Sequence, residues 1–350
     1  MTTWLTERMC LLAVGTLVAA CSGSESPPQP TATAPPAATA PAEPAPAGVP
    51  TVPPAGRVVP ISNGPEGIVI GTSGIAAIAV RDPGAIELVD AATGTVRKTV
   101  QTDGSARHLS LAGTDGPVLV PLETSDELIE VSLADGRVET TTANVGRQPH
   151  DAVRTADGTI VVTNERGGGV VFVRDGRVVA SLPAGPPQPG GVAVVGQYAA
   201  VADVQGNGVW VYDGSTRREV AHKLIGTKLT HAVGLSDKIA AFADTDGDAV
   251  LIERIDPEIT EVSRIEAPGK PYGLAYDAQR RYLYVTLTAN NQLQVVDMSD
   301  AAAPRIIGVV PTVQQPNSVA VDPRSGSVLI TGSAPKGTLQ IITPDLLPKP

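Results

Sequence analysis

From Lys270 to Asp297 the chain alternates apolar and polar residues in short runs: Leu274 and Tyr276, then Tyr282–Thr286, then Leu293–Val296. Asp277–Arg280 and Ala289-Asn290-Asn291 interrupt them as polar turns. Period-2 runs rich in β-branched and aromatic residues, separated by Asn/Asp turns, predict antiparallel strands of one sheet. The opening of this unit recurs at Pro65-Glu66-Gly67-Ile68, Ala106-Arg107-His108-Leu109, Pro149-His150-Asp151-Ala152 and Pro189-Gly190-Gly191-Val192, and again at Leu229-Thr230-His231-Ala232, Pro271-Tyr272-Gly273-Leu274 and Pro316-Asn317-Ser318-Val319. The steps are 41, 43, 40, 40, 42 and 45 residues. Several short strands repeated at that period predict an all-β fold, a seven-bladed β-propeller of four-stranded blades over residues 57–345.

The last repeat supplies strands near Ser318–Val321, Ser327–Thr331 and Thr338–Ile342 and then stops. An extra run, Val58–Ile61, precedes the first repeat. It is expected to complete the seventh blade and so remove the open sheet edge. Asp-Gly pairs at Asp135-Gly136, Asp175-Gly176 and Asp213-Gly214 read as hairpin punctuation between third and fourth strands.

Second strands reading VVTN (Val161–Asn164), VAD (Val201–Asp203) and FAD (Phe242–Asp244), with third strands VVFV, VWVYD and LQVVD, resemble the YVTN-repeat propellers, the YncE-like group of secreted or envelope proteins. Arg81, Leu122 and Gly332 replace the Asn/Asp in repeats one, two and seven. The resemblance implies an extracytoplasmic propeller and identifies blades rather than a ligand. Some members of that group are associated with DNA.

Ahead of the repeats, Arg8 precedes the apolar run Met9–Ala20, too short to span a bilayer but suited to a signal peptide, so residues 1–20 read as one. Leu17-Val18-Ala19-Ala20-Cys21 resembles a bacterial lipobox, making Cys21 the expected site of diacylglyceryl and N-acyl lipid and the protein a lipoprotein of the cell membrane's extracytoplasmic face. The other cysteine, Cys10, lies inside the segment to be removed, which excludes a disulfide or a cysteine metal site. Residues 21–56, rich in Pro and Ala, read as a disordered tether, since they lack the apolar periodicity that buries a core.

Net charge is −10, from 26 basic and 36 acidic residues, which makes a nucleic-acid binder the least favoured class. No Walker loop, dinucleotide fingerprint, HExxH or GxSxG is present. Asp244-Thr245-Asp246-Gly247-Asp248 begins like a calcium loop, but Ala249 and Ile255 depart from it, leaving an acidic turn. Candidate chemistry gathers instead in the second and third positions of the repeat openings, at one end of the channel. These are Glu66, Arg107, His108, His150, Asp151, Thr230, His231, Tyr272 and Asn317, and they hold three of the four histidines. His108, Asp151 and His231 share a column and are the candidates for a divalent metal, although blades two and five are not neighbours. No cofactor is expected beyond the lipid. The expected function is a monomeric binding scaffold for a protein or small molecule at the channel mouth. The alternative is a lactonase-like propeller hydrolase or metal-binding protein using the same His, Asp and Glu residues.

Overall fold

The computed structural model describes residues 42–349 apart from 257 and 335; the expected signal peptide, residues 1–20, and the expected lipid site, Cys21, lie outside the described residues. Seven four-stranded antiparallel sheets account for the ring, each in simple sequential order except the last. The sixth blade is typical: Pro271–Asp277 is innermost, followed outward by Tyr282–Leu287, Gln292–Asp297 and Arg305–Pro311. Its second strand is buried beyond its first residue and its outer strand is largely exposed, as expected where neighbouring sheets cover both faces of the middle strands. Apolar clusters lie between successive blades rather than inside any one of them. Val161, Val170 and Phe172 of the third blade, for example, pack with Val192, Val201 and Tyr212 of the fourth. No single sheet has a core of its own, so burial is completed only by its neighbours.

The chain's two ends share the seventh blade. Arg57–Pro60 pairs antiparallel with Thr338–Ile342, with Val58 opposite Gln340 and Val59 opposite Leu339. The closing strand begins and ends one residue earlier than the hydrophobic run suggested. Gln340, fully buried, secures the seam further: its Oε1 accepts from Val313 N–H, and its Nε2 donates to the carbonyls of Ala55 and Pro311.

The inner strands share an irregularity that shapes the site. Six of them slip in register within the repeat opening, between Pro149 and Ala152 in the third blade and between Pro271 and Leu274 in the sixth. In the second blade the regular strand is only Ser110–Leu111, with an isolated bridge from Ala106 to Leu122 upstream. A bulge frees two residues from the ladder and turns their side chains toward the axis. Every candidate named from the repeat openings sits on or beside one of these bulges.

Residues 42–56 carry no helix or strand, in keeping with their composition. They do not stand off as a free tether, however. Ala55 N–H donates to Pro311 O, and residues 42–48 lie across the entrance of the channel. Prolines exclude regular structure without excluding contact. Among the described residues no helix is long and apolar enough to cross a membrane.

Candidate functional site at the channel mouth

Arg107 is the centre of the mouth. Its side chain is fully buried and forms a two-pronged ion pair with Glu43, Nη1 to Oε2 at 2.9 Å and Nη2 to Oε1 at 2.7 Å. Its Nε lies 3.4 Å from Glu123. Burial works against the guanidinium charge, but Glu43 and the channel carboxylates more than offset it and raise its pKa. Glu43 is held below the usual range, first by its hydrogen bond from Arg107. Planar, bidentate pairing of this kind is the strongest mode in which a carboxylate is recognised.

His150 sits beside Arg107 on the next blade. Its Nδ1 lies 3.0 Å from Glu123 Oε1 and 3.5 Å from Glu165 Oε2. Burial alone would lower its pKa; Glu165 and Glu123 overcome that and lift it to about 9. Glu165 moves the other way: burial opposes ionisation, but the His150 charge and the N–H of Ala42 hold it at about 2. Glu66 completes the ring from the first blade. It accepts from Asn317 Nδ2 and faces Arg81 at 3.9 Å, and burial raises its pKa. Arg81, Arg107 and protonated His150 thus face Glu66, Glu123 and Glu165, and Glu43 enters as a fourth acid.

The rest of the segment 42–48 binds through its backbone. Ala42 N–H donates to Glu165, and Ala42 O accepts from the Tyr272 hydroxyl at 3.4 Å. Further along, Ala47 N–H donates to Gln315 Oε1, while the carbonyls of Ala45, Ala47 and Gly48 accept from Gln315, Gln314 and Asn291. An extended peptide whose main-chain groups are read by side chains and whose one acid meets a buried arginine has the form of a bound ligand.

Glu66, Arg107, His150, Tyr272 and Asn317 therefore converge on the mouth. Thr230 instead hydrogen-bonds Thr245. Asp151 spends both carboxylate oxygens on backbone, accepting from Ala152 N–H and from Val192 N–H of the next blade. It acts as a rivet between blades rather than a partner for the histidines. His108 and His231 meet across the axis despite their separation in the ring, with centroids 4.5 Å apart and planes at 78°. Closing seven blades around a narrow channel brings non-neighbours into contact.

Among the described residues, the acids and histidines close enough to share an ion are Glu123, His150 and Glu165, whose ligand atoms lie within 4.8 Å of one another; the trio His108, Asp151 and His231 does not form such a group. A divalent cation there would have to displace the proton of His150, which already bridges the two carboxylates.

Glu123 and Glu165 were not singled out from the sequence. Each directly follows the last residue of a second strand, and the backbone N–H at this position donates to the residue just before the repeat opening, Ser105 for Glu123 and Gln148 for Glu165. Val204, Thr245, Thr288 and Ser333 repeat that bond in the next four blades. The column was available as a repeat position carrying acids in two adjacent units. The calcium-like turn serves the fold: Asp244 accepts from Thr227, Lys228 and Gly247 N–H groups, and Asp248 from Gly269 and Lys270. Trp210 packs at the interface of the third and fourth blades and stacks on exposed His222 of its own blade, centroids 4.5 Å apart.

No family model matches the chain, and no curated protein matches it. Solved structures do. Virginiamycin B lyase from Staphylococcus aureus is 15% identical, with a TM-score of 0.66 over 82% of this chain and 99% of that one. Hydrazine synthase from Kuenenia stuttgartiensis is 18% identical, with a TM-score of 0.67 over 83% and 98%. U3-55K is 9% identical, with a TM-score of 0.71 over 82% and 99%. The chain is a seven-bladed β-propeller. At these identities the likeness shows the propeller fold and leaves its chemistry to the site.

Proposed function

We propose that the protein is a lipid-anchored extracytoplasmic propeller that binds an extended, carboxylate-bearing peptide at its channel mouth. The observation that carries this reading is the buried Arg107 paired with Glu43 of the chain's own leading segment. A guanidinium removed from water is costly unless a carboxylate meets it, so the mouth is built to be filled. Residues 42–48 fill it in cis, and a partner segment of the same chemistry would compete for the same groups. The lipobox at Cys21 supports placing this site outside the membrane, with the Pro/Ala-rich residues between anchor and mouth as spacer.

The hydrolase reading is weaker on the same geometry. Glu123 and Glu165 share the His150 proton, and Arg107 is paired, which leaves no poised base and nucleophile of the kind acyl transfer needs.

The test uses a variant in which residues 42–48 are replaced by a Gly/Ser stretch of equal length. A synthetic peptide of residues 42–49 should bind it at one site by calorimetry. Arg107→Gln should weaken that binding by at least about tenfold, the scale of truncating a buried charge pair. Absence of binding, or binding indifferent to Arg107, would refute the mouth as a peptide site. For the anchor, fatty-acid labelling in cells should be lost in Cys21→Ser.

A further inference from the structure

Below the polar ring the channel changes character. The inner strands run on from the mouth to Ile70, Leu111, Val153, Val194, Tyr276 and Val321, and between them lies a cavity of about 370 Å³. None of the mouth residues Glu66, Arg107, His150, Tyr272 or Asn317 lines it. It is entered from the end of the ring opposite the segment 42–48, so both can be occupied together. Its walls are mostly aliphatic but include Ser110, Asp151, Tyr276 and Ser318, and His108 and His231 stand together at its inner end.

Those two imidazoles are the anomaly. Among the described residues, His108 Nε2 and His231 Nδ1 are buried with no hydrogen-bond partner. Leaving a buried polar group unpaired costs on the order of 1–3 kcal/mol. His150, on the mouth side, lies against His108 with ring centroids 4.5 Å apart and planes tilted by 58°. Burial, aided by the His150 charge, lowers both pKa values, His231 to about 4 and His108 well below its ordinary value. Each ring is therefore neutral near pH 7 and offers one N–H and one lone pair. A hydroxyl has the complementary set, one donor and an acceptor, and can satisfy both rings at once.

We infer that this cavity is a second binding site, for an uncharged, largely apolar small molecule that places a hydroxyl against His108 and His231. Charge is disfavoured: the His150 imidazolium repels cations, and the Asp151 carboxyl on the wall, already held by the Ala152 and Val192 N–H groups, repels anions. The volume suits roughly two fused rings, given that a cavity of about 150 Å³ accepts one benzene.

The probe is 2-naphthol, with naphthalene as its hydroxyl-free control, titrated by fluorescence into the intact chain. We expect one saturable site for 2-naphthol and at least about tenfold weaker binding of naphthalene. His231→Phe should abolish that preference while circular dichroism shows an intact ring, and Val194→Trp at the rim should block both probes. Absence of saturable binding, equal binding of the two probes, or binding untouched by Val194→Trp would overturn the inference. So would stoichiometric uptake of Zn²⁺ or Cu²⁺ lost in His231→Phe, which would make the imidazoles a metal site.

Discussion

At the scale of residues, the mouth is an electrostatic device whose parts hold one another in unusual protonation states. His150 is the most exposed to test. It faces Glu123, Glu165 and Arg107 on the mouth side and His108 below. Its folded pKa of about 9 lies above the ordinary 6.5. The stability it contributes is therefore complete below about pH 6.5 and is lost as pH rises through about 9. Chemical denaturation should show the protein weakening over that window by something on the order of 2 kcal/mol. In His150→Gln the same slope should flatten. Thermal or urea midpoints that stay level from pH 6.5 to 9 in the wild type would contradict the assignment of an imidazolium at that position.

At the scale of elements, the inner strands of neighbouring blades touch through backbone, and this explains the residues of the third repeat column. Gly67, Gly191 and Gly273 stand in blades one, four and six. A Cβ on Gly67 would lie 2.6 Å from Arg107 O and 2.9 Å from Leu109 N; on Gly191, 2.9 Å from Ala232 N; on Gly273, 2.9 Å from Asn317 O. Gly67 N–H also donates to Arg107 O at 2.7 Å. Gly67→Ala should thus destabilise the ring by about 1–3 kcal/mol, the scale of forced overpacking. Gly48→Ala, where nothing lies within 4 Å, should leave the denaturation midpoint unchanged. Equal midpoints for the two variants would contradict the close packing.

The elements also show what was legible. Hairpin acids, the blade count and the shared seventh blade are written in side-chain alternation and turn residues, which local physics reads directly. The bulge at each repeat opening is not, because it is a property of backbone pairing. Without it the second-column residues Glu66, Arg107 and His150 could be grouped but not aimed. Glu43 was hidden for a different reason. Its neighbours Pro44 and Pro46 give a composition that forms no core, and only the docked partner, Arg107, reveals that the segment is held. His108 and His231 looked too far apart in the ring to meet, because separation in sequence order says little about distance across a narrow axis.

At the scale of the whole molecule, the same chain closes itself twice. Arg57–Pro60 seals the ring by completing the last sheet, and just upstream residues 42–48 seal its mouth. The first closure is continuous backbone pairing along the outer edge of a sheet; the second depends on one ion pair and a few side-chain contacts, so it is the one a competitor can open. On the proposed reading, stability and recognition fall on different segments. The decisive measurement is amide exchange over residues 42–49 in the intact protein, compared with Glu43→Gln and Arg107→Gln. Slowed exchange in the wild type that rises to free-chain rates in both variants, with the propeller strands still protected, is the outcome required. Free-chain exchange in the wild type, or protection that survives both substitutions, would contradict it.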